Sequence, residues 1–222
     1  MLVLALDTST PAVTAALTEV APEGVVTLLA ERVSVDARRH GELLSPSIEA
    51  VLTESGRTPG QLGAIAVGLG PGPFTGLRVG LVTAAALADS LSLPVYGECS
   101  LDAVAAQVPP GEPLLVATDA RRREVYWAGY DGNRARVSGP DVAAPADLPY
   151  ADYPLRAGAG LALYADQLGV EILPEPRYPG GVALARLVAD RALAGAPADP
   201  LTPLYLRRPD AAEPGPRKPV LR

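Results

Sequence analysis

The sequence is poor in the side chains that most enzymes use for proton transfer and metal binding. Histidine, cysteine and lysine occur once each, as His40, Cys99 and Lys218. A single cysteine forms no internal disulfide, which suits a reducing cytoplasm, and we expect Cys99 to be a small buried hydrophobe. A single histidine excludes a histidine pair or a Cys/His metal cluster, and a lysine this near the end excludes a phosphate-loop lysine.

Basic charge is also in short supply. Nineteen basic residues face 25 acidic ones, which gives a net charge of −6 over 222 residues. Because phosphate contacts supply most of the affinity for RNA, we do not expect the chain to bind an RNA unaided. Long apolar runs are absent near the N-terminus, where Asp7 closes the first run far short of a signal peptide or a membrane span. The sequence therefore predicts a cytoplasmic protein without a membrane anchor.

The hydrophobic pattern that is present predicts an α/β fold. Three early strands joined by short turns indicate an antiparallel meander, unlike the opening of a dinucleotide-binding fold. The predicted strands cover residues 2–6, 13–19, 25–33, 64–69, 114–118 and 124–130, with a short one after Pro94. The predicted helices cover residues 39–55, 75–91, 101–107, 161–168 and 182–194.

A glycine- and proline-rich loop lies between a predicted strand and helix, at residues 70–76. Such a loop can present backbone N–H groups to an anion, although it is neither a Walker loop nor a dinucleotide fingerprint. The alternative is structural: the glycines permit a tight turn, and Gly76 and Gly80 let the helix approach a neighbouring backbone. The residues by themselves favour the structural interpretation.

The helix predicted at 75–91 carries no charge between residues 79 and 88. A helix that is apolar all round is covered on both sides, and in a chain of this length the second cover is expected to be another subunit. The alternative is a helix enclosed within its own chain. The candidate partner interface consists of His40, Leu43, Leu44, Ile48, Leu52, Leu77, Leu81, Ala84 and Ala88. The spacing does not decide whether this face of the helix or the one with Val79, Val82 and Ala86 points outward.

Three motifs in a fixed order resemble one protein family. They are His40–Gly41–Glu42–Leu43–Leu44 with Pro46, the run from Gly70 to Gly80, and Asp119–Ala120–Arg121–Arg122–Arg123–Glu124–Val125–Tyr126. In this order and spacing they are similar to the TsaB (YeaZ) family, which contributes to threonylcarbamoyladenosine synthesis on tRNA. The resemblance implies two ribonuclease-H-like lobes of the actin, sugar-kinase and heat-shock ATPase superfamily. The expected division is 1–98, which binds the partner, 99–206, and a flexible tail at 207–222.

The resemblance also implies partner proteins and a non-catalytic role among them. Members of the family are expected to assemble with the transferase TsaD and the ATPase TsaE, to form homodimers in isolation, and to meet tRNA only through the complex. TsaD-like proteins carry a His-x-x-x-His metal motif whose places fall here at Ser100 and Val104, neither of which replaces an imidazole. The expectation is therefore a non-catalytic scaffold with no metal or cofactor of its own, ATP or ADP and Mg²⁺ being bound only by the assembled complex.

Nucleotide-contacting residues are the least defined part of the prediction. Asp7, Thr8, Ser9 and Thr10 resemble the first phosphate hairpin of the superfamily, with Asp119 as the acidic residue in the second lobe. An ordinary turn explains the same residues. We expect Asp7→Ala and Asp119→Ala to leave the fold intact. Candidate contacts to tRNA phosphates or to a partner's acidic groups are Arg78, Arg121, Arg122 and Arg123, and a solvated turn is the alternative for at least two of the last three.

Two other function classes remain open. One is a nucleotide-dependent enzyme of the same superfamily, kinase-like or acyl-transferring, that uses its own cleft. The other is a metallopeptidase, which the single histidine opposes directly.

Overall fold

The computed structural model describes residues 1–207, which form two mixed sheets covered by helices. The first sheet has five strands: β1 (Leu2–Asp7), β2 (Ala12–Val20), β3 (Val26–Val35), β4 (Leu62–Gly68) and β5 (Val95–Glu98). Their order is β3-β2-β1-β4-β5, with β1, β2 and β3 antiparallel and with β4 parallel to both β1 and β5. This arrangement confirms the predicted meander.

Both faces of the first sheet are buried at β1, which explains why its residues from Leu2 to Leu6 are all apolar. Side chains of a strand alternate between the two faces, so Leu4 and Leu6 lie in one core and Val3 and Ala5 in another. The first core is closed by α1 (His40–Glu54) and α2 (Phe74–Leu91). The second is closed by α6 (Gly181–Leu193), near the C-terminus.

The position of α6 corrects the predicted division at residue 98. The predicted division places this helix in the second lobe, yet it packs on β1, β2, β3, β4 and β5. Arg191 of α6 pairs with Glu98 and Asp199, and its guanidinium lies 5.4 Å from the ring centre of Tyr96. The first sheet and the helix α6 that packs on it therefore contain residues from both ends of the chain.

The second sheet has the order β8-β7-β6-β9. Its strands are β6 (Leu114–Arg121), β7 (Glu124–Tyr130), β8 (Arg136–Ala143) and β9 (Leu155–Ala157). The sequence predicted β6 and β7 but not the other two. Strand β8 is an exposed edge containing Gly139 and Pro140, and β9 has only three residues, so neither has the alternation that marks a half-buried strand.

Short helices complete the second half. They are α3 (Ser100–Ala105), α4 (Ala159–Ala162) and α5 (Ala165–Leu168), with three-residue 3₁₀ turns at Pro59–Gln61, Pro145–Asp147 and Tyr150–Asp152. The single helix predicted at 161–168 is thus two short ones. Cys99, just before α3, is 6% exposed, and burial raises the pKa of its thiol to about 12. The prediction of a small buried hydrophobe is confirmed. The predicted tail lies outside the described residues, except for Arg207.

Helix α2 is long and apolar enough to cross a membrane by length and composition alone, with 18 residues and a mean hydropathy of 1.3. The core helix of a globular protein passes the same test. Here Leu77, Leu81, Ala84 and Ala88 pack into the core beneath the first sheet. The packing therefore accounts for the apolar inner face without a membrane.

Candidate functional site

The turn between β1 and β2 is buried, although the sequence presents it as a phosphate hairpin. The exposed fractions of Asp7, Thr8, Ser9 and Thr10 are between 1% and 3%. Oδ1 of Asp7 accepts hydrogen bonds from the backbone N–H and the hydroxyl of Ser9, at 2.8 and 2.7 Å. Its Oδ2 accepts a 2.6 Å bond from the hydroxyl of Ser100. Both carboxyl oxygens are therefore occupied by the chain's own donors.

Ser100 connects this turn to the glycine–proline loop. Its hydroxyl donates to Asp7 and accepts a 3.1 Å bond from the N–H of Gly70, while the N–H of Ser100 donates to the Gly70 carbonyl at 2.7 Å. Val104 stands at the second position where TsaD-like proteins have a metal-binding histidine, and it is fully buried in the core. Within residues 1–207, no three His, Cys, Asp or Glu side chains come together as metal ligands.

Burial raises the pKa of Asp7 above its ordinary value of 3.8, while the hydrogen bonds from Ser100 and Ser9 lower it by less. The folded state therefore favours the protonated carboxyl. The stability contributed by that preference is fully present below pH 3.8 and is lost as the pH rises through the folded pKa. Asp7 also accepts three hydrogen bonds, so Asp7→Ala would leave buried donors without an acceptor, and the expectation of an intact fold is revised for this residue.

The first testable prediction follows from the direction of this shift. Asp7→Asn carries no titrating carboxyl, so the free energy of unfolding of the wild type should fall relative to that of Asp7→Asn as the pH rises from 3.5 towards 7. Urea titrations of both proteins across this range measure the difference, and groups common to both cancel. A difference that is constant with pH, or of opposite slope, would show that Asp7 is not the buried carboxyl described.

The glycine–proline loop and α2 close over the same turn. The hydroxyl of Thr8 donates to the Gly76 carbonyl at 2.7 Å and accepts from the Gly80 N–H at 2.9 Å, so it bridges one turn of the helix. A Cβ at Gly80 would lie 2.5 Å from that hydroxyl, and one at Gly72 would lie 2.2 Å from the Ser9 carbonyl oxygen. The glycines thus permit close approach, as the structural interpretation predicts.

This packing buries three of the candidate nucleotide-contacting residues. Asp7, Thr8 and Ser9 are held under the loop, where their side chains are hydrogen-bonded within the chain, and their contact with nucleotide stays a prediction. Thr10 differs, since it lies at the edge of an open cleft. Sequence reasoning missed the closure because the hydrogen bonds that bury the turn come from residues 68 to 93 positions away.

The interlobe cleft, as we call the space between the β1–β2 turn, the starts of α1 and α2, and the β6–β7 turn, has a volume of about 330 Å³. Its lining includes Thr10, Arg38, His40, Phe74, Asp119 and Arg121. Nε2 of His40 lies 2.7 Å from the Thr10 carbonyl, which only accepts hydrogen bonds, so this nitrogen carries a proton. His40 is therefore a hydrogen-bonding residue of the cleft wall, and the structure brings Asp119 to the same cleft.

The three consecutive arginines lie at the β6–β7 turn, where Arg121 is the last residue of β6. Arg121, Arg122 and Arg123 are exposed and all have left-handed backbones, with φ of 61°, 53° and 62°. Their contact with tRNA or with a partner, and the alternative of a solvated turn, stay predictions. The N–H of Arg121 donates to the Asp119 carboxylate at 2.8 Å, which orients the first arginine of the turn. Arg78, on α2, lies with its guanidinium 5.0 Å from the Phe74 ring centre.

The structure decides which face of α2 points outward. Leu77, Leu81, Ala84 and Ala88 have exposed fractions of 6% or less and lie in the protein's own core, so their assignment to a partner interface is wrong. Leu44 of α1 is equally buried, at 1%. The outward face carries Val82, which is 60% exposed, together with the exposed Ala85 and Ala86 and the half-buried Val79, Thr83 and Leu87.

A shallow apolar depression, the α1–α2 groove, runs between the two helices with a volume of about 400 Å³. Ile48 and Leu52 line it from α1, and Thr83 and Leu87 line it from α2. Three residues of the predicted interface keep some surface that faces outward. Ile48 and Leu52 are each 8% exposed, and Leu43 is half-buried. The groove continues onto the apolar outer face of α2.

Comparisons with known proteins point to one family. The sequence model of TsaD, tRNA N6-adenosine threonylcarbamoyltransferase, matches residues 27–193. An uncharacterised protein of Mycobacterium tuberculosis is 50% identical over 211 residues, which cover 94% of this chain and 93% of the relative. The solved structure of YeaZ from Pseudomonas aeruginosa superposes with a TM-score of 0.73 at 30% identity and covers 92% of this chain and 99% of that one. The chain belongs to the TsaB (YeaZ) family.

Membership of the TsaB family confirms the predicted fold, two sheets with helices of the actin-like kind. The Escherichia coli relative described as tRNA threonylcarbamoyladenosine biosynthesis protein TsaB is 37% identical over 133 residues. These residues cover 59% of this chain and 55% of that relative. The similarity to the named TsaB proteins is thus concentrated in part of the chain.

Proposed function

We propose that this chain is a non-catalytic subunit required for the attachment of threonylcarbamoyl to adenosine 37 of tRNA. Family membership and relatives that carry the name of threonylcarbamoyladenosine biosynthesis support this role. The observation that carries the proposal is the contrast between two places. The β1–β2 turn is filled by the chain's own contacts, whereas the α1–α2 groove is apolar and open.

In this proposal the chain works in the cytoplasm in a complex with TsaD and TsaE. The groove and the outer face of α2 receive the transferase, and in its absence a second copy of the chain occupies them. Two helices from each partner would then form a four-helix contact. ATP or ADP and Mg²⁺ are bound by the assembled complex rather than by this chain alone, and tRNA is bound tightly only by that complex.

A nucleotide-dependent enzyme is the second candidate, and the interlobe cleft with Asp119 and two arginines is the observation that favours it. It is the weaker candidate because Asp7, the expected Mg²⁺-orienting carboxylate, has both oxygens hydrogen-bonded by Ser9 and Ser100. A metallopeptidase has less support still, since the described residues offer no set of metal ligands.

Co-purification and ATP turnover separate the two candidates. The tagged chain should retain TsaD from the same organism and should not hydrolyse ATP alone, and threonylcarbamoyl transfer should need the chain, TsaD and TsaE together. Steady ATP hydrolysis by the isolated chain, lost in Asp119→Ala, would instead support the enzyme.

A further inference from the structure

Basic and aromatic side chains meet at the mouth of the interlobe cleft. Arg38 enters from the segment before α1 and Arg121 from the β6–β7 turn, and both line the cleft together with Phe74. Arg78 lies 5.0 Å from the Phe74 ring centre, from one turn further along α2. We call these four side chains together with Tyr205 the cleft-mouth cluster.

The arginines of this cluster are free to meet a ligand. Arg38, Arg78 and Arg121 are exposed, and none of them takes part in the ion pairs found among residues 1–207. Arg39, beside them, differs because it pairs with Glu42. The Asp119 carboxylate lines the same cleft, and the Arg38 N–H donates to the Asp36 carboxylate. Three arginines thus face two nearby carboxylates and leave a positive surplus at the opening, which a ligand of opposite charge complements.

The aromatic pair adds a second kind of contact. Phe74 and Tyr205 have ring centres 5.2 Å apart and are 48% and 43% exposed, although aromatic side chains of this size usually bury more of their surface. Phe74 is the only phenylalanine of the sequence. Exposed rings beside arginines are the combination on which unpaired bases stack while the phosphates are neutralised.

We propose that the cleft-mouth cluster binds an unpaired segment of RNA. The phosphates lie against Arg38 and Arg121, and a base lies against Phe74, Tyr205 and the Arg78 guanidinium. The identification of the RNA as part of a tRNA rests on the proposed function. The contact is weak in the isolated chain, because the net negative charge opposes it, and it supplements contacts made by the partner.

Fluorescence anisotropy with a labelled RNA stem-loop that corresponds to a tRNA anticodon arm tests the proposal on the isolated chain at low salt. Arg38→Gln with Arg121→Gln should weaken binding and reduce the slope of log affinity against log salt by roughly 1.4, or about 0.7 for each phosphate contact. Phe74→Leu should weaken binding by at least about fivefold, the lower end of base–aromatic stacking, and should abolish the preference over a fully paired RNA duplex. Arg186→Gln, at an exposed arginine of α6, is the matched control and should bind as the wild type does.

Three results would overturn the proposal. One is no binding by the wild type at protein concentrations up to about 0.5 mM, above the usual non-specific range of about 10⁻⁴ to 10⁻⁶ M. The second is equal loss in the cluster variants and in Arg186→Gln. The third is binding of ATP without binding of the stem-loop, which would assign the cleft to a mononucleotide. A variant with a charge in the α1–α2 groove, Leu87→Glu, should keep RNA binding, so failure of the proposed assembly is distinguished from failure of this site.

Discussion

Ala84→Glu is expected to unfold the protein, whereas Ala86→Glu, two residues away on the same helix, is expected to fold normally. Ala84 is fully buried against the first sheet, while Ala86 faces outward. A carboxylate at Ala84 would lose its hydration without gaining a partner and would overfill a packed core. Either effect costs several kcal/mol, a large share of a total stability of about 5–15 kcal/mol.

Thermal melts followed by circular dichroism, together with size-exclusion chromatography, measure this difference. Ala84→Glu should show no cooperative transition or one lowered by well over 10 °C, since about 1 kcal/mol shifts the melting temperature of a chain of this size by roughly 2–4 °C. Ala86→Glu should melt within a few degrees of the wild type. If both variants unfold, α2 is enclosed on both sides by its own chain. If both melt like the wild type, the described packing of Ala84 is wrong.

A charge in the α1–α2 groove is expected to abolish assembly with TsaD without loss of the fold. Leu87 is half-buried and lines the groove beside Ile48 and Leu52, so Leu87→Glu would put a carboxylate at the centre of the proposed contact. Truncation of a hot-spot side chain at the centre of an interface costs about 2 kcal/mol or more of binding free energy, and a buried unpaired charge costs at least as much. The dissociation constant should therefore rise by at least about 30-fold.

Leu163→Glu provides the matched control, because Leu163 is 60% exposed beside α4, in the second half of the chain. It carries the same substitution outside the proposed interface and should assemble as the wild type does. Isothermal titration of each variant with purified TsaD gives the two constants. Equal binding by Leu87→Glu and Leu163→Glu would place the interface elsewhere.

The elements of the first sheet could be predicted because their residues carry the period of their structure. β1 is apolar on both faces and ends at a polar turn, and the helical spacing of Leu44, Ile48 and Leu52 marks α1. In the second half, β8 and β9 have no such pattern. The sequence predicts helix α6 almost to the residue but not its packing on the first sheet. Periodicity shows which face of a helix is apolar, but it does not show which element that face packs against.

The candidate site shows the same limit. Because α2 is apolar all round, the sequence predicts that both of its faces pack against something. It does not predict which face packs on the chain's own core, because that depends on the positions of Thr8 and the sheet. The burial of Asp7 depends on Ser100, 93 residues away, so a sequence motif that resembles a phosphate hairpin does not reveal that its oxygens are already bonded. Asp119, by contrast, lines the interlobe cleft.

The measurement that tests the central claim most directly is the threonylcarbamoyladenosine content of tRNA, determined by mass spectrometry of nucleosides from a strain that lacks this protein. The account predicts that the modification is lost in the deletion strain, restored by the wild type and by Asp119→Ala, and not restored by Leu87→Glu. Modification that persists in the deletion strain, without a second copy of the gene, would contradict the claim that the protein is required. Restoration by Leu87→Glu but not by Asp119→Ala would contradict the claim that it acts as a scaffold rather than through its own cleft.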